Sequence, residues 1–306
     1  MAPRPCIIGI GEALLDLCDG QAHLGGAPIN MAVHAQQLGN EGVAVCRVGQ
    51  DGYGDRVVAE LGNRGVNVEH VQRDPDHLTG TVLVSYGADG EPRYDIVEDV
   101  AWDYLQADSD LEYLAARADA VCFGTLAQRS GQTRGTIYKF LDQAKRAIRL
   151  LDLNLRPPFY DRRRLEHSCE LATAVKANLC ELRHLGSLFS TADEPAQIAA
   201  DLIQRYRLDF VAVTSGAAGT AVYGPDGLRE APSVPVVSVV DPVGAGDAAA
   251  AAILHGAVRR WPWERTVALA NELAAHVVGQ AGACPPIPEP IRALAGTAQD
   301  STSAAS

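Results

Sequence analysis

The sequence predicts an α/β fold, a mostly parallel twisted sheet with helices on both faces and a small antiparallel lid beside it. From residue 108 onward, short apolar runs alternate with helical patterns, which is typical of repeated βα units. Residues 79–98 break this alternation with two strand-like arms and no helix between them. Polar residues follow several of the strands directly, at the sheet edge where ligands bind in such folds.

The first third of the chain contains three predicted strands and two predicted helices. The strands cover residues 6–10, 43–48 and 66–71. Pro28 suits the first turn of one helix and Gly39-Asn40 its end. The second helix covers residues 56–63 and is closed by Gly65.

Residues 79–98 predict a hairpin with a turn at Asp89-Gly90. Because no helix connects its arms, they are not expected to be neighbours in a parallel sheet. We expect a lid formed by about residues 12–30 and 79–103. The ligand-facing edge of this lid would include Glu98, Asp99 and Trp102. The alternative is that these residues form a solvated strand end.

The rest of the chain predicts regular alternation within a single domain of residues 1–290. The strands are 118–123, 149–153, 174–177, 209–213 and 236–240, with a hairpin through 224–227 before the last. The helices are one ending at 117, then 132–146, 162–172, 180–188, 195–206, 248–258 and a final one. The segment 291–306, rich in Ala, Ser and Thr, is expected to be disordered at its end.

Composition excludes several classes of partner. The 306-residue chain has a net charge of −12, three lysines and no basic run, so nucleic acid and anionic membranes are poor partners. Seven scattered cysteines favour reduced thiols in the cytoplasm. Neither a signal peptide nor an apolar run of about 18 residues is present, so no membrane span is expected.

Residues 241–248 read Asp-Pro-Val-Gly-Ala-Gly-Asp-Ala, between the apolar run 236–240 and an Ala-rich helical stretch. A helix that begins in a glycine loop directs unpaired N–H groups and its positive dipole end at one point, which suits a phosphate. Asp247 then has two interpretations. It either caps the helix, or takes a proton from a hydroxyl that attacks the bound phosphoryl group.

Other common chemistries lack their motifs. Gly-Lys and His-Glu dipeptides are absent, which excludes a Walker P-loop and an H-E-x-x-H zinc site, and no G-x-S-x-G elbow occurs. Gly9 and Gly11 lack the third glycine of a dinucleotide-binding motif. Glycine loops, acidic residues and few cations suit Mg²⁺-nucleotide chemistry.

The chain resembles the ribokinase (PfkB) family of sugar kinases, and within it the fructokinase-like branch. The resemblance runs in family order from residue 6 to about 288. It is carried by Gly11-Glu12 with Asp16 and by residues 25–30, 48–55, 152–157, 178–181, 213–219 and 241–248.

This resemblance implies a ribokinase-like three-layer αβα sandwich and transfer of the γ-phosphoryl group of ATP to a sugar hydroxyl. It makes Asp247 the base and the backbone at Gly244, Ala245 and Gly246 the anion hole. Asp16, Gly25, Gly26 and Asn30 would hold the sugar. By their positions just past strands, Gln128 with Arg129, and Arg156, are further acceptor-side candidates. It also implies a homodimer formed through the lid.

The resemblance further implies sites for the nucleotide and two cations. Asn178 and Glu181 would order Mg²⁺ and its waters, and Asp241 matches a monovalent-cation site that would take K⁺. Thr214, Gly216 and Gly219 would line the nucleotide, with Asn271 near the adenine. Two positions depart from the family pattern, Pro242 and Ala249, and both bear on substrate choice more than on catalysis. At a helix N-terminus, Asp247 is expected to be ionised.

The expected acceptor is fructose or a related hexose. Kinases of 2-keto-3-deoxygluconate, ribose or a nucleoside are the alternatives within the family, and Arg156 would favour an acidic sugar if it faces the acceptor. A non-catalytic sugar or nucleotide sensor would leave Asp247 and Glu181 unexplained. A dinucleotide oxidoreductase is supported less than a sensor, because the third glycine of its motif is missing after Gly11.

Overall fold

The computed structural model describes residues 3–18, 20–86, 92–190, 192–224, 227–236 and 238–296. The predicted turn at Asp89-Gly90, the centre of the turn at 224–227 and the chain after residue 296 lie outside these ranges. Within them, no helix has the length and apolarity needed to cross a bilayer.

The described residues form thirteen strands. In chain order they are β1 (Cys6–Ile10), β2 (Leu14–Cys18), β3 (Gln21–Gly25), β4 (Glu41–Gly49), β5 (Val71–Asp74), β6 (Gly80–Tyr86), β7 (Pro92–Ile96), β8 (Ala120–Phe123), β9 (Ile148–Asp152), β10 (Ala174–Asn178), β11 (Phe210–Thr214), β12 (Thr220–Gly224) and β13 (Gly227–Ala231).

The described residues also form ten α-helices. They are α1 (Ala27–Gln37), α2 (Gly52–Asn63), α3 (Ser109–Arg117), α4 (Gly131–Gln143), α5 (Arg162–Leu171), α6 (Leu179–Phe189), α7 (Pro195–Tyr206), α8 (Ala245–Val258), α9 (Trp263–Val278) and α10 (Glu289–Leu294).

Nine of the strands form the central sheet, in the order β13-β12-β11-β10-β9-β8-β1-β4-β5. Every pair from β11 to β5 is parallel, and β12 and β13 add an antiparallel edge. Because strand side chains alternate between faces, Ile7 packs in one core with α1, α8 and α9, while Ile8 packs in the other with α3 to α7. The predicted α/β fold with three layers is confirmed.

The other four strands form a small second sheet in the order β3-β2-β6-β7. Its two hairpins, β2-β3 and β6-β7, are antiparallel, and one parallel pair, β2-β6, joins them. The predicted hairpin of residues 79–98 is confirmed. The strands β2 and β3 were not predicted, because their alternation of polar and apolar residues is short and interrupted.

Two predicted strands differ from the structure. The strand expected at 66–71 begins only at Val71, because Asn67 makes an isolated parallel bridge to Val43 on β4 and the chain then turns at residues 69–70. The strand expected at 236–240 does not form in its described residues, which lie beyond the sheet edge at β13. The amides of Val240 and Asp241 bond instead to the Val278 carbonyl on α9, and the Val239 side chain is 68% exposed.

Candidate active site

The glycine-rich loop before α8 starts the helix three residues earlier than predicted. Gly244 has a φ of +83°, which is the left-handed region, and is the N-cap residue of α8. A side chain at Gly244 would also collide with the Ala283 carbonyl. Asp247 is therefore the third residue of the helix, and the interpretation of Asp247 as its N-cap is wrong.

The first turn of α8 presents backbone N–H groups to one side of Asp247. The Ala245 amide makes only a long contact of 3.4 Å with the Pro242 carbonyl. The amides of Gly246 and Asp247 have no hydrogen bond to another residue in the ranges that the structure describes. Together with the positive end of the helix dipole, these amides can hold an anion.

A second glycine corner lies opposite, between β3 and α1. Gly26 has a φ of +109°, and a side chain there would collide with the Glu12 carbonyl. At Gly25 a Cβ atom would lie 2.6 Å from Oδ2 of Asp16. The corner therefore brings the Asp16 carboxylate against the backbone and starts α1, with Asn30 in its first turn.

A hydrogen bond joins the two glycine corners across 217 residues of sequence. The amide nitrogen Nδ2 of Asn30 donates to Oδ2 of Asp247 at 2.9 Å. The Cys284 thiol lies 3.5 Å from Oδ1 of Asn30, which fixes the orientation of the amide. Asn30 is 3% exposed, so this contact is part of the folded core as well as of the site.

The carboxyl groups around this contact have raised pKa values. Burial, reinforced by the charge of Asp152, raises the pKa of Asp247 to about 7, against the opposing effects of Lys176 and Asn30. Burial likewise raises the pKa of Glu12 to about 7 and that of Asp16 to about 6. Burial therefore opposes the helix N-terminus, which by itself would favour the charged form of Asp247.

Glu12 had no predicted role, yet it belongs to this group. It is 2% exposed, and its Oε2 atom has no hydrogen-bond partner among the described residues. Its position directly after the first strand, beside Gly11, is the sequence signal that could have identified it.

On the other side of Asp247, α6 begins in a capping box. Asn178 accepts from the Glu181 amide at 2.9 Å, and Oε2 of Glu181 accepts from the Asn178 amide at 2.9 Å. The other oxygen of Glu181 accepts from the Leu155 amide at 3.0 Å, which connects the loops after β9 and β10. These bonds hold the carboxylate at the carboxyl edge of the sheet.

A model of the pfkB family carbohydrate kinases matches residues 16–290. The chain belongs to this family. The match covers both glycine corners and the loops after β9, β10 and β11, and membership makes the protein an ATP-dependent carbohydrate kinase.

Individual relatives of this kinase are similar along most of their length. A fructokinase of Klebsiella pneumoniae is 30% identical over 278 residues, which cover 87% of this chain and 88% of the relative. A 2-dehydro-3-deoxygluconokinase of Thermoproteus tenax is 29% identical, covering 88% and 84%. The structure of a double mutant of Vibrio cholerae fructokinase with fructose, ADP and potassium ion is 25% identical, with a TM-score of 0.80 over 97% and 99% of the two chains.

The residues predicted to line the nucleotide lie past the end of β11. Gly216 and Gly219 have φ values of +53° and +89° and enclose a short 3-10 turn after Thr214. Asn271 on α9 donates to the carbonyls of Ala231 and Pro232, both at 2.8 Å. The Asn271 amide therefore fastens the segment after β13, and only its oxygen is left for a ligand.

Asp241 and Arg156 of the kinase lie at the rim of the site. Asp241 accepts from the amides of Val243 at 2.9 Å and Gly282 at 3.2 Å, and so ties two loops together. Arg156 is exposed and forms no salt bridge within the described part of the chain; its Nη1 donates to the Leu155 carbonyl at 3.1 Å. Its charge lowers the pKa of Asp16, Glu12 and Asp247, so it faces this group of acids.

The predicted acceptor-side residues Gln128 and Arg129 and the predicted lid-edge residue Trp102 are not part of this group. Arg129 is 7% exposed and pairs with Asp103. Gln128 is 1% exposed; it donates to the Gly124 carbonyl and accepts from Tyr138 and Ser168, so its amide belongs to a buried structural network. Trp102 is 1% exposed and packs against Gly80, which excludes it from a ligand-facing edge.

Proposed function

We propose that this kinase transfers the γ-phosphoryl group of Mg-ATP to a hydroxyl of fructose or a related hexose. The hydrogen bond from Asn30 to Asp247 carries the proposal, because it places an acceptor-binding corner against the first turn of α8. The Klebsiella and Vibrio fructokinases, similar along nearly their whole length, support the choice of sugar.

In this proposal the acceptor hydroxyl lies between Asp247 and the phosphoryl group. Asp16 and Asn30 hold neighbouring sugar hydroxyls, and Asp247 accepts the proton as the new P–O bond forms. The amides of Ala245, Gly246 and Asp247 stabilise the charge on the transferring group. Because phosphoryl transfer is largely dissociative, a carboxylate with a pKa of about 7 is a sufficient base.

The donor set suits Mg²⁺ held mainly by phosphates and water. Mg²⁺ commonly uses one or two carboxylates and keeps several waters, and the described residues contain no cluster of three metal-ligating side chains. Glu181 is the carboxylate at the carboxyl edge of the sheet, and it would hold the ion through water. The ion would neutralise phosphate charge. Asp241, at the junction of two loops, is the residue we assign to K⁺.

The nucleotide would lie along the loops after β10 and β11. Asn178, Thr214, Gly216 and Gly219 present backbone and small polar groups there. The side chains of Val239 and Val243, 68% and 39% exposed, supply the apolar surface that a purine base needs. This assignment explains why Val236, Val239 and Val240 are apolar without being in a strand.

We also propose that the enzyme is a cytoplasmic homodimer that associates through the second sheet. Leu83 on β6 is 45% exposed and would supply apolar surface to such an interface, and five of the cysteines are buried thiols that suit a reducing compartment. Light scattering of wild type and Leu83→Glu tests the dimer; a monomeric wild type would contradict it.

A coupled ADP-release assay with Mg-ATP tests the reaction. Fructose and related hexoses should give turnover, and Asp247→Ala should abolish it while ATP binding remains. If no sugar, sugar acid or nucleoside in the panel releases ADP above background, the proposed function is wrong. The assay repeated with and without K⁺ tests the role of Asp241.

A kinase of an acidic sugar is the second candidate, and Arg156 is the observation that favours it. An exposed arginine without a salt bridge, facing the acceptor-side acids, can pair with a substrate carboxylate. The similarity to the Thermoproteus 2-dehydro-3-deoxygluconokinase agrees with this. Measuring kcat/KM for fructose and 2-keto-3-deoxygluconate, in wild type and Arg156→Gln, separates the two candidate functions. In the variant, kcat/KM should fall only for an acidic acceptor.

A further inference from the structure

A buried ion pair lies behind the first turn of α8. Nζ of Lys176 on β10 is 3.0 Å from Oδ1 and 3.2 Å from Oδ2 of Asp152 on β9. The two side chains are 7% and 3% exposed. Isolated buried charges are costly, and replacing such a pair by apolar residues is often neutral or stabilising. Stability alone therefore gives no reason for a lysine at this position.

The lysine ammonium contacts the anion-binding turn from below. A Cβ atom on Gly246 would lie 2.9 Å from Nζ of Lys176. Gly246 is within α8 and is not among the residues with positive φ. The ammonium therefore lies directly against the backbone of the first turn of α8, and a side chain at Gly246 would require the lysine to move.

We propose that Lys176, held by Asp152, is a positioning residue for phosphoryl transfer, and that it supports the anion-binding turn and the charge state of Asp247 from the side opposite the substrate. The proposal rests on the proposed function. The ammonium lies against Gly246 and so contributes positive charge beside the Ala245, Gly246 and Asp247 amides, where phosphoryl charge accumulates, while Asp152 partly offsets it. The lysine acts through the turn and does not need to touch the substrate.

Charged or titratable groups face Asp247 from several elements. They are Glu12 after β1, Cys122 on β8, Asp152 on β9, Arg156 after β9, Lys176 on β10 and Cys284 before α10. Asp152 raises the pKa of Asp247, and Lys176 lowers it. Burial acts to lower the pKa of Lys176 itself, but Asp152 and Asp247 outweigh it, so the lysine is charged.

The two members of the pair should therefore move the pH profile in opposite directions. In Lys176→Met the acid limb of kcat should move to higher pH, because Asp247 loses a favourable charge. In Asp152→Asn it should move to lower pH, because a repelling charge is gone. If the pair is only structural, the acid limb should stay in place in both variants or move in the same direction in both.

The test measures kcat against pH for wild type, Lys176→Met, Asp152→Asn and the double variant Lys176→Met/Asp152→Leu, each checked for folding by circular dichroism. The double variant should fold, keep its KM for ATP within a few-fold and lose at least about tenfold in kcat. A matched pair elsewhere, Arg129→Met/Asp103→Leu, should keep wild-type kcat. If the double variant does not fold, the single variants decide by the direction of their shifts.

Wild-type kcat in the folded double variant, or acid limbs that move together in the single variants, would overturn the proposal while leaving the kinase activity established. A wild-type enzyme without turnover on any acceptor would overturn both this proposal and the proposed function.

Discussion

Two buried ion pairs of similar geometry have different surroundings. Lys176 and Asp152 are 7% and 3% exposed, and Arg129 and Asp103 are 7% and 8% exposed. Arg129 donates two hydrogen bonds to Asp103, at 2.8 and 2.9 Å, and a third to the Val97 carbonyl. Its guanidinium also lies 3.8 Å from the centroid of the Trp102 ring. Lys176, by contrast, has Gly246 and Asp247 as neighbours.

This difference shows that burial and pairing alone do not determine what a charged side chain does. The guanidinium is a fork that matches several fixed acceptors, which suits the junction of β7 with the 3-10 helix at Ala101–Tyr104. The ammonium is a compact charge with few fixed partners, so its field reaches the neighbouring site. The Arg129–Asp103 pair holds two segments together, and the Lys176–Asp152 pair is the one that we propose acts on Asp247.

The largest expected effect comes from replacing Asp247, the neighbour of Lys176 that distinguishes the two ion pairs. Asp247→Asn should lower kcat by at least about 10³-fold, since general base catalysis and positioning are lost together. ATP binding, measured by calorimetry, should remain. Asp103→Asn is the control, and its folded fraction should keep wild-type kcat. An Asp247→Asn enzyme with more than a tenth of wild-type kcat would contradict the assignment.

Breaking the Arg129–Asp103 pair should cost stability instead of activity. Arg129→Met leaves a buried carboxylate unpaired, and the free energy of unfolding should fall by about 3–5 kcal/mol. Urea denaturation measures this, and Arg129→Met/Asp103→Leu should recover most of the loss. A large loss of kcat in the folded double variant would show that this pair also serves the site.

The pH dependence of wild-type kcat should reflect the environment of Asp247. The base must be ionised to accept a proton, and its pKa is raised to about 7, so kcat should be lost as pH falls through about 7. Initial rates between pH 5.5 and 9 at saturating Mg-ATP measure the limb. Arg129→Met/Asp103→Leu should leave the limb unchanged, and a limb near pH 4 would mean that Asp247 is not buried in the working enzyme.

The smallest effect should come from the thiol that orients Asn30. Cys284→Ala removes the contact with Oδ1 of Asn30, and thiols are weak donors, so kcat should fall by about two- to fivefold. Cys284→Ser keeps a donor and should retain more activity. Equal kcat in wild type and Cys284→Ala would show that packing alone fixes the amide.

Much of the architecture could be predicted from local sequence patterns. Alternation of short apolar runs and helices identified the parallel sheet, because βα units repeat a pattern within some thirty residues. The strands β2 and β3 could not be predicted, since they are stable only by pairing with each other and with β6. Val236, Val239 and Val240 were misleading because apolar residues can also lie on an exposed surface, which we assign to the nucleotide.

For the candidate site, the sequence by itself determined the residue types: two glycine corners, the acids that follow strands, and the absence of competing motifs. These are local signals, since glycine is required where backbone is strained or closely approached. Only the tertiary structure decided which of them meet. The Asn30–Asp247 bond, the raised pKa of Asp247, the burial of Gln128 and the position of Lys176 beneath Gly246 all depend on segments far apart in sequence. Charge and burial at such a point are sums over the whole fold, and no stretch of sequence contains them.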